Sequence, residues 1–319
     1  MKNFKIILIA IVAIFVSSCS KDDNPTSYPI PDTTITGKAV ATADLSILVQ
    51  ALQKAGLATT LQGAGPYTVF APTNAAFTSF LNANGFTSLN DVPVAALKEI
   101  LLNHVLTGKK LAVNLSTGYE KTLAKGGAST ANALSMYVDK TDVVKLNGVS
   151  MVTTADILAS NGVIHIVDKV IGLPTIVTHA TANSNFSILV SALTRADQIN
   201  FVGILSGTAS PSPFTVFAPT NDAFVSFLTE TTYPSLAAIP TSVLDKTLKY
   251  HVITGANALA SSLSADQVIP TFSGQSVTVK TSPTRLKDVS NRDCNIILTD
   301  VQCSNGVIHV LDKVLLPTF

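Results

Sequence analysis

The chain has 319 residues, 47% hydrophobic and 13% charged, with a formal net charge of +1. Length predicts about two domains, each apolar enough to bury a core, which excludes disorder over most of the chain. No basic stripe appears, which excludes nucleic acid as an expected partner. There is no tryptophan and aromatics make up only 6%, so stacking platforms for sugars or bases are scarce.

The first element is a targeting segment. Lys2 and Lys5 precede an apolar run, Ile6 to Val16, too short for a spanning helix, and the small residues Ser17 and Ser18 follow it. The stretch "VSSC" ending at Cys19 resembles a bacterial lipoprotein box, although Val16 and Ser18 depart from its commonest residues. The resemblance implies lipidation of Cys19 and removal of residues 1–18. The next segment, 19–34, is polar and proline-containing and reads as a tether. Its Lys21-Asp22-Asp23 is similar to the export signal of surface lipoproteins in the Bacteroidota. The implied location is the outer membrane, attached by lipid and facing the cell surface, with a periplasm-facing anchor as the alternative.

The rest of the chain says everything twice. "LSILVQAL" at Leu45 recurs as "FSILVSAL" at Phe186, and "YTVFAPTNAAFTSFL" at Tyr67 as "FTVFAPTNDAFVSFL" at Phe214. "NHVLTG" at Asn103 recurs as "YHVITG" at Tyr250, and "NGVIHIVDKVIGLPT" at Asn161 as "NGVIHVLDKVLLPTF" at Asn305. The offsets are 141, 147, 147 and 144 residues. That period is far beyond solenoid repeats and marks a duplicated domain. The change from 141 to 147 places a six-residue expansion around Gly207–Pro213.

Within each copy, Thr68, Val69 and Phe70 form a β-prone run that stops at Pro72. Thr73 or Asn74 then caps a helix whose Phe77, Phe80 and Leu81 form an apolar stripe. Leu97, Ile100, Leu101, His104 and Val105 fall at helical spacing, which places His104 on a buried stripe, and His251 on the corresponding one. Residues 149–157 read as a strand, Asn161-Gly162 as a hairpin turn tolerant of positive φ, and Val163 to Val167 as the return strand.

These segments resemble the signatures of fasciclin domains. "TVFAPTNAAF" with "NGVIHIVDKVI", and "TVFAPTNDAF" with "NGVIHVLDKVL", match the two signature segments, and "YHVITG" resembles that family's tyrosine–histidine segment. The resemblance covers residues 35–173 and 174–319. It implies an α+β class, with each domain a β-wedge or sandwich packed with short helices. It also implies adhesion and extracellular binding in place of catalysis. The linker 172–183 is short and apolar, so the two domains are expected to pack as a stiff pair.

Candidate chemistry is weighed against this. His165 and Asp168 would lie on opposite faces of a strand and cannot form a base–orienter pair. His104, His165 and His309 are therefore expected to be structural. A metal site needs three or four convergent ligands, and no third His or Cys recurs beside the histidines, so neither metal nor cofactor is expected. Tyr250-His251 carries the family's adhesive segment, whereas Asn103-His104 keeps only the histidine. Tyr119 and Tyr137, in the non-repeated stretch Thr117–Asp142, join Tyr250 and His251 as candidate ligand contacts. The Leu205–Pro213 loop is a second candidate surface. Cys294 and Cys303 would lie about 30 Å apart along a straight strand, so a disulfide requires the segment to bend back; bridged and free forms both stand. The expected function is non-enzymatic: a lipid-anchored surface protein that contacts an extracellular protein or polysaccharide and meets the membrane only through its anchor. The alternatives are an accessory glycan-binding subunit of a polysaccharide-uptake system, or a hydrolase.

Overall fold

The computed structural model describes residues 33–319. Cys19 and residues 20–32 of the tether lie outside the described residues. From residue 33 onward the chain forms two domains with one shared topology. In the first, the strands are β1 (Tyr67–Pro72), β2 (Val105–Thr107), β3 (Gly118–Lys121), β4 (Ser135–Asp139), β5 (Lys145–Leu146), β6 (Ser150–Ala159) and β7 (Gly162–Val167), in the spatial order β2-β1-β7-β6-β5-β4-β3. In the second they are β8 (Phe214–Pro219), β9 (Val252–Thr254), β10 (Val268–Pro270), β11 (Ser276–Lys280), β12 (Arg285–Lys287), β13 (Asp293–Cys303) and β14 (Gly306–Leu311), ordered β9-β8-β14-β13-β12-β11-β10. Among the described residues, only β1 with β7, and β8 with β14, run parallel; the other pairings are antiparallel.

The parallel pair is the centre of each domain, and it is buried on both faces. Successive strand side chains alternate. Val69 and Ala71 face a core made with the helices Ile35–Val40, Ser46–Lys54, Ala58–Gln62, Asn74–Ala83 and Val94–Leu102. Phe70 faces the opposite way, into a second core with Met136, Val138, Leu146 and Val167. The second core closes because β6 bends. Its register shifts between Thr154 and Ile157, where Asp156 adopts φ 63°, and β13 does the same around Asp300 at φ 58°. A bulge of this kind turns the strand and increases its twist, which folds the outer strands back over the central pair.

The expected caps form: Thr73 Oγ1 accepts from the Ala76 amide at 3.1 Å, and Thr220 Oγ1 from the Ala223 amide at 3.2 Å. Two element boundaries differ from expectation. The helix carrying Leu97 and Leu101 ends at Leu102, so His104 follows the helix and Val105 opens β2. The hairpin turn is Ser160-Asn161, with Gly162 already paired to Ala159.

The loop expansion is split in two. Asn161 Nδ2 donates to the carbonyls of Leu61 and Gly63, and Asn305 Nδ2 to those of Leu205 and Gly207. Leu61 thus corresponds to Leu205. Three added residues lie before the helix Phe201–Ser206, and three lie after Gly207.

Cys294 and Cys303 are both free and buried. They occupy opposite ends of β13 and belong to different cores, Cys294 with Tyr250 and Leu286, Cys303 with Phe214 and Ile308. The bulge bends β13 but does not fold it back on itself, so no disulfide joins them. Burial raises both thiol pKa values, that of Cys294 to about 12.

Candidate functional site

The repeated histidines are accounted for atom by atom. His104 follows its helix and turns its ring back, so that Nδ1 donates to the Ile100 carbonyl at 2.7 Å, a carbonyl the helix end leaves unpaired. Its Nε2 accepts from the Ile171 amide at 2.9 Å. His251 repeats both bonds with Thr247 and Leu315, at 2.7 and 2.9 Å. One nitrogen donates and the other accepts, so each ring is neutral. Burial lowers both pKa values to about 4.

His165 uses the other tautomer. Nε2 donates to the Lys110 carbonyl at 2.9 Å, and Nδ1 accepts from the amide of Asp156, the bulge residue, at 3.2 Å. His309 stands between Ala258 and Asp300 in the same way. Each ring thus pins the bulge that closes the second core, stacked on Phe70 or Phe217. Asp168 is not its partner; its carboxylate accepts from the Met151 amide at 2.7 Å.

The signature asparagines serve the same end. Asn161 Oδ1 accepts from the Ile35 amide and Asn305 Oδ1 from the Ile176 amide, tying the first helix of each domain to its last hairpin. Asn74 and Asn221 accept from the amides of Ile47 and Ile188. Gly162 and Gly306 are glycines because of space: a Cβ would lie 2.0 Å from the Tyr67 carbonyl oxygen and 2.1 Å from that of Phe214.

Of the four candidate ligand contacts, Tyr137, Tyr250 and His251 are buried and Tyr119 is half-buried. Tyr250 is fully buried, its hydroxyl donating to the Ser276 carbonyl and accepting from the Val289 amide. His251 is buried as described. Tyr119 and Tyr137 stand together, ring centroids 5.0 Å apart, in the seam between the two domains. Tyr119 packs edge-on against His179 of the second domain at 5.3 Å, and its hydroxyl accepts from Asn183 Nδ2. The Tyr137 hydroxyl donates to Asn183 Oδ1. Within the stretch expected to be a variable surface, Tyr119 and Tyr137 therefore form an internal contact, while Lys125 and Thr141 stay exposed.

Backbone and side-chain bonds complete the seam. Lys121 Nζ donates to Ser135 Oγ at 3.0 Å and to the Asp300 carbonyl at 2.7 Å, while the Gln302 amide donates to Ser135 Oγ at 3.0 Å. The Ala128 amide donates to the Ser304 carbonyl at 2.9 Å. Gly148 approaches Ala182 so closely that a Cβ would meet its Cα at 3.0 Å. The residue sequence reasoning missed is His179. It is fully buried, and neither ring nitrogen has a partner at hydrogen-bond distance. Burial, then the nearby Lys121 cation, pull its pKa down to about 3. Its counterpart in the first copy is Lys38, so duplication gave no signal for it.

Chemically, these rings and amides hold strands and helices together. Their donors and acceptors point at backbone and at each other. Among the described residues, no group of three or more His, Cys, Asp or Glu is placed to hold a metal ion. Among them also, no helix is long and apolar enough to cross a membrane.

Comparison with known proteins agrees with this architecture. The fasciclin domain model matches residues 43–174 and 184–317. Protein sll1483 of Synechocystis is 37% identical over 143 residues, 45% of this chain and 73% of that protein. Human periostin is 28% identical over 269 residues, 82% of this chain but 29% of periostin. A solved domain pair from the insect cell adhesion molecule fasciclin I aligns with a TM-score of 0.55 at 21% identity, covering 86% of this chain and 97% of that one. The chain belongs to the fasciclin domain family, as a tandem of two such domains.

Proposed function

We propose that this protein is a non-enzymatic adhesion or binding protein, held at the outer surface of the cell by a lipid on Cys19. Its two domains would contact an extracellular protein or polysaccharide. The observation that carries the reading is the tandem itself: two fasciclin domains whose fold matches a domain pair from an insect cell adhesion molecule. The histidines that could suggest catalysis are engaged in holding bulges and helix ends. The lipid anchor is supported by the sequence at 16–19 and by the polar tether after it.

Binding of the mature protein to immobilised collagen, fibronectin and a polysaccharide array tests the adhesive reading. Saturable binding to one of these, lost on unfolding, is the expected result. No binding to any, together with hydrolysis of an ester or glycoside panel, would replace it with the enzymatic reading. Labelling with a fatty-acid probe tests the anchor: wild type should be marked, and Cys19→Ala should not.

A further inference from the structure

The second domain holds an apolar cavity of about 150 Å³ between the helices Ile176–Ala182, Ser187–Leu193 and Phe201–Ser206. Its floor is core: Ile176, Ala180, Phe201 and Leu205 are all buried. Its rim reaches solvent at Thr181 and Val202. The two threonines in its wall present no hydroxyl to it. Thr181 Oγ1 donates back to the Val177 carbonyl at 2.9 Å, and Thr194 Oγ1 to the Val190 carbonyl at 2.8 Å. The wall is therefore carbon throughout.

Loose packing does not account for this space. The void at the centre of the same core is about 20 Å³, and the corresponding one in the first domain about 10 Å³. Native interiors leave few voids larger than a water molecule. The larger cavity sits beside the three residues added between Leu193 and Phe201, where the first domain turns directly from one helix to the next through Ala55, Gly56 and Leu57. That added connection is firmly built. Arg195 donates to the carbonyls of Leu236 and Ile239 at 2.9 and 2.8 Å and forms a two-point pair with Asp197 at 2.6 and 2.8 Å.

An enclosed cavity of about this volume with an aliphatic and aromatic lining stays dry and takes up benzene or xenon; this one has the same lining and an open rim. We propose that the second domain binds a non-polar group of about benzene size in this cavity: an aromatic ring or the end of a hydrocarbon chain. The absence of any polar atom in the wall excludes recognition of a sugar or a charged headgroup inside it, since each buried polar group would lose its hydrogen bonds to water without replacement. Any polar part of the ligand stays outside the rim.

Methyl-resolved NMR of the full chain, with benzene and octanoate as separate probes, tests this. Either probe should shift the methyls of Ile176, Val202 and Leu205 saturably and leave Ile35 and Leu61 of the first domain unmoved. A benzene response alone identifies a ring site, and an octanoate response alone identifies a chain site. Val202→Trp, at the exposed rim, should abolish the shifts while leaving the thermal melt of the free protein unchanged; Thr181→Trp serves the same purpose if the first variant fails to fold. Absence of saturable shifts with both probes, equal shifts in the two domains, or shifts that persist in the folded Trp variant would overturn the proposal.

Discussion

The Nε2 of His104 accepts a hydrogen bond from the backbone amide of Ile171, 67 residues further along the chain, at 2.9 Å. Its Nδ1 simultaneously closes the end of the preceding helix on Ile100. One ring therefore joins a helix end to the segment leaving the final hairpin, and His251 does so again with Leu315. Replacing either histidine with alanine leaves a buried amide and a helix-end carbonyl unpaired. The expected cost is about 2–4 kcal/mol, combining unsatisfied polar groups with the cavity left behind. Urea unfolding of His104→Ala and His251→Ala measures it; a cost within error of zero would remove their structural role.

The same rings set a pH dependence. Burial lowers the folded pKa of each from 6.5 to about 4. The unfolded chain takes up these protons near pH 6.5 and the folded chain only near pH 4. Across that window the unfolded state binds more protons, so stability is fully present above it and falls as the pH drops through it. The loss should approach on the order of 3 kcal/mol per ring by pH 4. Carboxylates such as Asp197, held well below their ordinary 3.8 by Arg195 and Thr241, add their losses only at still lower pH. Urea midpoints at pH 7.5, 6, 5 and 4 test this, and a midpoint that does not move between pH 7.5 and 5 contradicts it.

Gly162 and Gly172 form a controlled pair. A Cβ on Gly162 would lie 2.0 Å from the Tyr67 carbonyl oxygen, whereas one on Gly172 meets nothing within 4 Å. Gly162→Ala must push apart the parallel pair at the centre of the domain, at an expected cost of about 3 kcal/mol or more. Gly172→Ala should change stability by about 0.5 kcal/mol or less. Equal melting temperatures for the two variants would show that the close approach is unimportant.

Tyr119→Ala tests the seam. It removes the packing on Tyr137 and His179 and the hydrogen bond to Asn183. Loss of a packed aromatic of this kind is expected to cost about 2–4 kcal/mol, here drawn from the coupling between domains. Calorimetry should show one unfolding transition in the wild type resolving into two in the variant. If the variant keeps a single transition at the wild-type temperature, the seam does not couple the domains.

The thiols give a simple check on connectivity. Cys294 and Cys303 are free, buried and held as neutral thiols. Both should resist a thiol-specific reagent in the folded protein and react fully in urea. A mass two hydrogens lower after oxidising purification would instead indicate the bridge.

The sequence alone determined the duplication, the family, the strand that ends at Pro72, a cap at residue 73 or 74 and a hairpin near residue 161. These rest on short-range rules: apolar periodicity, capping chemistry and turn residues act within a few positions, and two copies write each rule twice. It read the histidines as structural from an aliphatic setting and alternating strand faces, and the structure gives His104, His165, His251 and His309 backbone partners. What it left open was decided by contacts between residues far apart. Tyr119 and Tyr137 read as an exposed, variable pair because nothing local distinguishes a surface from a face covered by the next domain. Tyr250 read as an adhesive contact for the same reason, although its hydroxyl is buried against Ser276 and Val289. His179 has no counterpart histidine in the first copy, so repetition could not reveal it. The bulge in β13 rests on His309, Asp300 and Ala258 meeting across 51 residues of chain, a long-range closure that no window of neighbouring residues contains.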